Sequence, residues 1–299
     1  MSIVSGTLSH PAADFAAAVE RFEALRALDG PHIIAQARSR FYTQAGRTPL
    51  AVVLFHGLTN APEQWSLFAS QLHGRGHTVI VPRLPGHGHV DRHATAIASV
   101  TAADLLATAS EATDIACGAG ERVVVAGLSI GGAIAAWLGL HRADVARSVS
   151  IVPLFGIKQL NAPGNALLTA MLGCLPNAFV PWKPGDPNSP DVPVYGYPRF
   201  PTRLLAECLR IGLDVYRDAA GRAPAGSVTM VINPREPSCN NAMTREIAAR
   251  FERLRPGAAD IVAIAGLPAN HDIIDPTNPH ACVQLVYPRL LEVIERELR

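Results

Sequence analysis

Three residue types that can jointly cleave an acyl bond occur along this chain in an ordered series. Ser129 lies in Gly127-Leu128-Ser129-Ile130-Gly131, Glu236 in Asn233-Pro234-Arg235-Glu236-Pro237-Ser238, and His271 in Pro268-Ala269-Asn270-His271-Asp272. A serine hydroxyl is too weakly acidic to attack a carbonyl at neutral pH. An imidazole within hydrogen-bond reach removes that obstacle by taking the proton and returning it to the leaving group. A carboxylate behind the ring fixes its tautomer and stabilises the imidazolium. Each of the three follows an apolar run that reads as a strand, so the order nucleophile, acid, base is set at successive strand ends.

The nucleophile's surroundings are the most specific. Val123-Val124-Val125-Ala126 leads into the Gly-x-Ser-x-Gly turn, and Ala133-Ile134-Ala135-Ala136-Trp137-Leu138 continues at helical spacing. Strand, tight turn and helix are the context that a nucleophile elbow requires. Gly127 and Gly131 leave out side chains where strand and helix approach, which predicts a strained backbone at Ser129. The hydroxyl then sits at a helix N-terminus, where negative charge is favoured. A second apolar run, Leu50–Phe55, enters His56-Gly57-Leu58-Thr59-Asn60. That turn can aim the Leu58 N–H at the same point as the Ile130 N–H, giving two fixed donors for an oxyanion. His56 reads as a buried structural histidine, because the base is expected late in the chain.

A competing chemistry is offered by Pro85-Gly86-His87-Gly88-His89-Val90-Asp91-Arg92-His93. His87, His89, Asp91 and His93 approach the H-x-H-x-D-H pattern of binuclear zinc hydrolases. One extra residue separates Asp91 from His93, and side chains along an extended loop alternate sides. The plainer reading is a turn shaped by Pro85, Gly86 and Gly88. A metal-dependent hydrolase built on this loop is one alternative, and a catalytically silent ligand-binding protein is another. The leading reading needs no cofactor.

These residues need a frame. The apolar runs 50–55, 77–81, 123–128, 145–152, 228–232 and 261–265 alternate with helical patterns over 61–75, 101–117, 203–217, 242–254 and 279–298, and an amphipathic helix over 12–28 precedes them. Residues 38–43 read as an edge strand. Such alternation predicts an α/β fold with a mostly parallel sheet covered by helices on both faces. It breaks over 153–202, a stretch rich in proline (Pro181, Pro184, Pro187, Pro190, Pro193, Pro198 and Pro201) and aromatic residues, with a helix near 166–173 and no clear strand. An insertion of that length is usually functional. It is expected to form a lid over Ser129 with an apolar pocket, dividing the core into 1–152 and 203–299.

Composition narrows the partners. With 26 basic and 25 acidic residues among 299 the net charge is +1, and no basic cluster argues for nucleic acid or an anionic membrane. No apolar run reaches the roughly 20 residues of a membrane span, and no secretory leader is evident. Five widely spaced cysteines fit free thiols and a cytoplasmic location. The expected partner is a small-molecule ester with an apolar acyl part.

From about Leu50 onward the chain resembles the α/β-hydrolase superfamily. The resemblance is carried by His56-Gly57, Pro85-Gly86-His87-Gly88, the elbow Gly127–Gly131 and His271, and is greatest to bacterial carboxylesterases and monoacylglycerol lipases with a short lid. It implies Ser129 as nucleophile, His271 as base and the Leu58 and Ile130 amides as oxyanion hole. The acid departs from the family's usual aspartate in a Gly-x-x-Asp-x-x-Val turn. Glu236 is one methylene longer, so its loop must retract. Asp260 precedes its strand, Asp272 and Asp275 follow His271, and Asn240 or Asn241 could orient the ring only without charge.

Overall fold

The computed structural model describes residues 9–186 and 192–298. Pro187 and Pro190 of the proline-rich stretch lie outside the described residues. Seven strands form the main sheet: β1 (Arg40–Tyr42), β2 (Thr48–Phe55), β3 (Thr78–Val81), β4 (Gly120–Leu128), β5 (Val145–Ile151), β8 (Ser227–Ile232) and β9 (Ala259–Ala263). Their spatial order is β1-β3-β2-β4-β5-β8-β9. All neighbours are parallel except β1, which pairs antiparallel with β3 at the edge.

The apolar runs separate into two cores with the period of two that a pleated strand imposes. Ala51, Val53 and Phe55 of β2 face one side with Val123 and Val125 of β4. There they meet α1 (Phe15–Ala27), α3 (Ala102–Ala119), α4 (Ile130–His141), α6 (Thr202–Asp218) and α7 (Asn241–Leu254). Leu50, Val52, Leu54, Val124 and Ala126 face the other side, against α2 (Ser66–Gly74) and α8 (Val283–Ile294). Complete burial of such a side chain contributes about 1.5–3 kcal/mol, so this doubly covered sheet is a rigid base for whatever its strand ends carry. Helix α3 starts where expected: Thr101 and Asp104 form a reciprocal capping box.

Several boundaries differ from the sequence expectations. The helix expected over 61–75 is a 3₁₀ turn, Pro62–Trp65, followed by α2. The one expected over 279–298 is α-helical only over Val283–Ile294 and ends in the 3₁₀ turn Glu295–Leu298. Within 153–202 the helix is longer than expected, α5 (Ala162–Cys174), capped by Asn161. The same stretch also holds a two-stranded ribbon of β6 (Phe179–Pro181) and β7 (Arg199–Pro201). Three-residue strands ending in proline carry no alternating pattern to read, and proline is tolerated there because the ribbon has no further neighbour. The five cysteines are all free. Among the described residues no helix is long and apolar enough to cross a membrane.

Candidate active site

Only Ser129 separates β4 from α4. Its backbone lies at φ 59°, ψ −114°, a conformation that costs a non-glycine residue about 1–3 kcal/mol and persists only where the surroundings over-determine it. They do so here. The Ser129 N–H donates to Ile151 O and its carbonyl accepts the Leu154 N–H, each at 2.9 Å. The two elbow glycines are required by contact. A Cβ on Gly127 would lie 2.3 Å from the Gly131 backbone, and one on Gly131 would lie 2.2 Å from Phe55 O.

The end of β8 supplies Glu236 and the loop after β9 supplies His271. Glu236 Oε1 lies 2.8 Å from His271 Nδ1 and also accepts the N–H groups of Ser238 at 2.8 Å and Cys239 at 3.1 Å. Those two amides come from the turn that follows Glu236 and folds back around its carboxylate. Glu236 Oε2 is buried with no partner among the described residues. Burial pushes the Glu236 carboxyl up, but the charge and hydrogen bond of His271 and the two amides outweigh it, and its pKa is lowered. Burial works against a charged His271 ring, and Glu236 outweighs it with help from Asp272, so that pKa is raised. The His271 side chain stays 28% exposed while Glu236 is fully covered, so the ring has an open side.

That side faces a cavity of 460 Å³ lined by Leu58, Thr59, Ser129, Trp182, Tyr197 and His271 among others. No hydrogen bond joins Ser129 Oγ to His271 in this structure, although both line the cavity; such contacts often tighten only in the substrate complex. The lining is not uniformly apolar, since Asn60, Gln64, Ser238, Asn270, Asp272 and Asn278 also contribute. Trp182, Val192, Pro193, Gly196 and Tyr197 of the 153–202 stretch line the cavity, and described residues of that stretch bond the turn after β2 and the loop after β9. Trp182 Nε1 donates to Thr59 Oγ1 at 2.8 Å, Tyr197 N–H to Thr59 O at 2.8 Å, and the Tyr195 hydroxyl to Asp275.

The turn after β2 is held from below by two histidines. His56 Nδ1 donates to Gly57 O at 2.9 Å and its Nε2 accepts the Leu84 N–H at 3.0 Å. His87 Nδ1 donates to Pro85 O at 2.8 Å and its Nε2 accepts the Thr59 N–H at 3.1 Å. Each ring needs one bare nitrogen, so both are neutral in this arrangement. Thr59 takes a left-handed φ of 62°. Among the described residues the N–H groups of Leu58 and Ile130 have no hydrogen-bond acceptor. Burial lowers the His56 pKa well below the usual value and lowers that of His87 to about 4.

The sign of the acid effect follows. A histidine free to protonate near pH 6.5 when unfolded, but only near 4 when folded, favours the native state fully above pH 6.5 and progressively less as pH falls toward 4. For His87 this amounts to about 2 kcal/mol between pH 6.5 and 5, with His56 acting in the same direction. Urea unfolding across that interval should therefore show a steeper loss of stability in the native chain than in His87→Gln. Equal slopes would remove this role from the ring.

His87 is thereby occupied, and two further members of the pattern bond backbone N–H groups of their own loop: His89 Nδ1 accepts the Asp91 N–H and Asp91 Oδ1 accepts the His93 N–H. Among the described residues, the three potential metal ligands whose donor atoms lie within 4.8 Å of one another are instead Glu236, Cys239 and His271, and two of these already bond each other. The other acid candidates are placed elsewhere. Asp260 is not ahead of its strand but within β9, at the end opposite Ser129, bonded to Thr229 and Arg296. Asn240 caps α7 and Asn241 bonds Asn233 O.

Comparison with known proteins bears on the family and the fold. The model of the "Alpha/beta hydrolase family" matches residues 52–285, most of the chain. The protein belongs to the α/β-hydrolase family. This α/β-hydrolase is 29% identical over 171 residues to a thermostable monoacylglycerol lipase of Bacillus sp. (strain H-257), a match covering 57% of this chain and 64% of the relative; the aligned part thus spans under two thirds of that relative's length. Among solved structures it is similar in fold to a metagenome-derived lipolytic enzyme, with a TM-score of 0.67, 18% identity, and coverage of 88% of this chain and 99% of the other. A soluble variant of the Saccharomyces cerevisiae monoglyceride lipase gives a TM-score of 0.66, 13% identity and coverage of 87% and 91%. The Paleococcus ferrophilus monoacylglycerol lipase gives 0.65, 15%, and 87% and 98%.

Some site residues of this α/β-hydrolase have no signature in the sequence. Gln64, Asp272, Tyr195 and Asp275 meet across separations of 208 and 80 residues. The positions are ordinary for polar residues, so only the folded contacts single them out. Cys239 is another: its thiol is buried beside Ser129 and Glu236, and burial above all pushes its pKa well up, making it an inert neighbour rather than a nucleophile.

Proposed function

We propose that this α/β-hydrolase cleaves carboxylic esters through an acyl-enzyme, with Ser129 as nucleophile, His271 as base and Glu236 as acid. The observation that carries the reading is the buried Glu236 carboxylate bonded at 2.8 Å to His271 Nδ1, with the ring opening on the cavity that Ser129 also lines. Nδ1 is held as a donor, which leaves Nε2 to take the Ser129 proton as Oγ adds to the ester carbonyl. The resulting oxyanion is met by the N–H groups of Leu58 and Ile130. Collapse breaks the bond to the alcohol oxygen, which leaves with the proton from His271. Water then attacks the acyl-serine, gives its proton to Nε2 and regenerates the hydroxyl as the carboxylic acid departs.

Stretch 153–202 acts as the lid of this site, and its bonds to Thr59 and Asp275 seat it on both turns that form the cavity. The likeness to a monoacylglycerol lipase supports an acyl ester as substrate, and the mixed lining suits one with an apolar acyl part and a polar alcohol part. The test is a p-nitrophenyl ester assay combined with fluorophosphonate labelling and peptide mapping. Saturable turnover with one adduct, on Ser129, is the expected result. Failure of both turnover and labelling would overturn the reading.

A further inference from the structure

The Gln64 amide is constrained at both ends. Its Oε1 accepts the Gly57 N–H at 2.9 Å, and a backbone N–H can only donate, so the orientation is settled and Nε2 must point the other way as a donor. It donates to Asp272 Oδ2 at 2.6 Å, where Asn60 Nδ2 also donates at 3.3 Å. Asp272 is equally committed, because its Oδ1 accepts the N–H groups of Asp275 at 3.1 Å and Ile274 at 3.3 Å. Donors thus converge on both oxygens. A carboxylate satisfies both sets, whereas an asparagine would turn its NH₂ toward one of them.

What this chain of bonds joins is the two halves of the site. Gly57 immediately precedes Leu58, and Asp272 immediately follows His271. The turn after β2 and the loop after β9 are contributed by strands with β4, β5 and β8 between them. We propose that Gln64 and Asp272 form a positioning strut that clamps the turn carrying the Leu58 N–H to the loop carrying His271, and so sets the distance between oxyanion donor and base. The strut rests on the serine-esterase reading above and acts through Gly57 and His271. A misplacement of about 1 Å between groups that must act together can cost about 100-fold in rate, while substrate held mainly by the acyl pocket and lid binds nearly as before.

The experiment compares steady-state kinetics of the full chain with those of Asp272→Asn, Gln64→Met and the double variant on a p-nitrophenyl ester, with thermal midpoints recorded for each. Asp272→Asn changes no volume, so it remains informative if Gln64→Met proves poorly folded. Each single change should lower kcat about 10- to 100-fold with KM within about threefold. The double variant should be no slower than the slower single, because one strut is lost only once. Losses that multiply in the double variant, a change confined to KM, or kcat within twofold of the native chain in the singles would each overturn the strut. Fluorophosphonate labelling of the native chain separates the two failures: labelled native protein with unaffected variants sinks the strut alone, and absence of labelling and turnover in the native chain sinks the esterase reading and the strut with it.

Discussion

Ser129→Ala is expected to lower kcat for ester hydrolysis by about 10⁴- to 10⁶-fold, the range seen when a nucleophile acting as one unit with its base is removed. Folding should be little affected. The elbow strain is a property of the backbone at φ 59°, which alanine would share, and the hydrogen bonds that hold the turn are made by the Ser129 main chain. The variant should therefore keep its thermal midpoint while losing both turnover and the fluorophosphonate adduct. A variant retaining a tenth or more of native kcat would show that hydrolysis takes place without this hydroxyl.

Glu236→Gln is expected to lower kcat by about 10²- to 10⁴-fold. Two effects combine. The imidazolium loses the charge that stabilises it, and the amide NH₂ must occupy the position of Oε2 or Oε1. At Oε2 it would be a buried donor with no acceptor, and at Oε1 it would confront the N–H groups of Ser238 and Cys239. An unpaired buried donor costs about 1–3 kcal/mol, so a lower thermal midpoint is expected as well. The pH profile carries the sign. As the proposed base His271 must be neutral to accept a proton, and Glu236 raises its pKa from the ordinary value, so native activity is expected to fall on the acid side at a higher pH than an unperturbed histidine would give. In Glu236→Gln the acid limb of kcat/KM should move to lower pH while the plateau drops. Unchanged turnover would remove Glu236 from the mechanism.

How much of this was legible in advance depended on range. The elbow was readable because its sequence pattern is local: Gly127 and Gly131 flank Ser129, with an apolar strand before and a helix after, while the bonds that hold the strain come from Ile151 and Leu154. The frame was readable because a period of two or of about 3.6 is imposed by backbone geometry wherever one face is buried. The order Ser129, Glu236, His271 was read from strand ends, and of those three side chains the structure bonds Glu236 to His271, at 2.8 Å. The loop holding His87 offered two readings, a metal cluster and the plainer turn. Four potential metal ligands, three histidines and an aspartate, fall within seven positions, but the ring of His87 faces inward to hold Thr59.

The sequence by itself determined where the elbow pattern lies, which strands are buried on both faces and in what order the candidate groups Ser129, Glu236 and His271 occur, since those follow from neighbours in the chain. Only the tertiary structure decided what the carboxylate of Glu236 bonds, that Trp182 and Tyr197 line the same cavity as Ser129, and that Gln64 reaches Asp272. Those contacts join residues 35 to 208 positions apart. A polar side chain carries no local mark of a distant partner, because its hydrogen-bonding capacity is the same in water; the partner is chosen when folding removes the water and leaves one acceptor within reach.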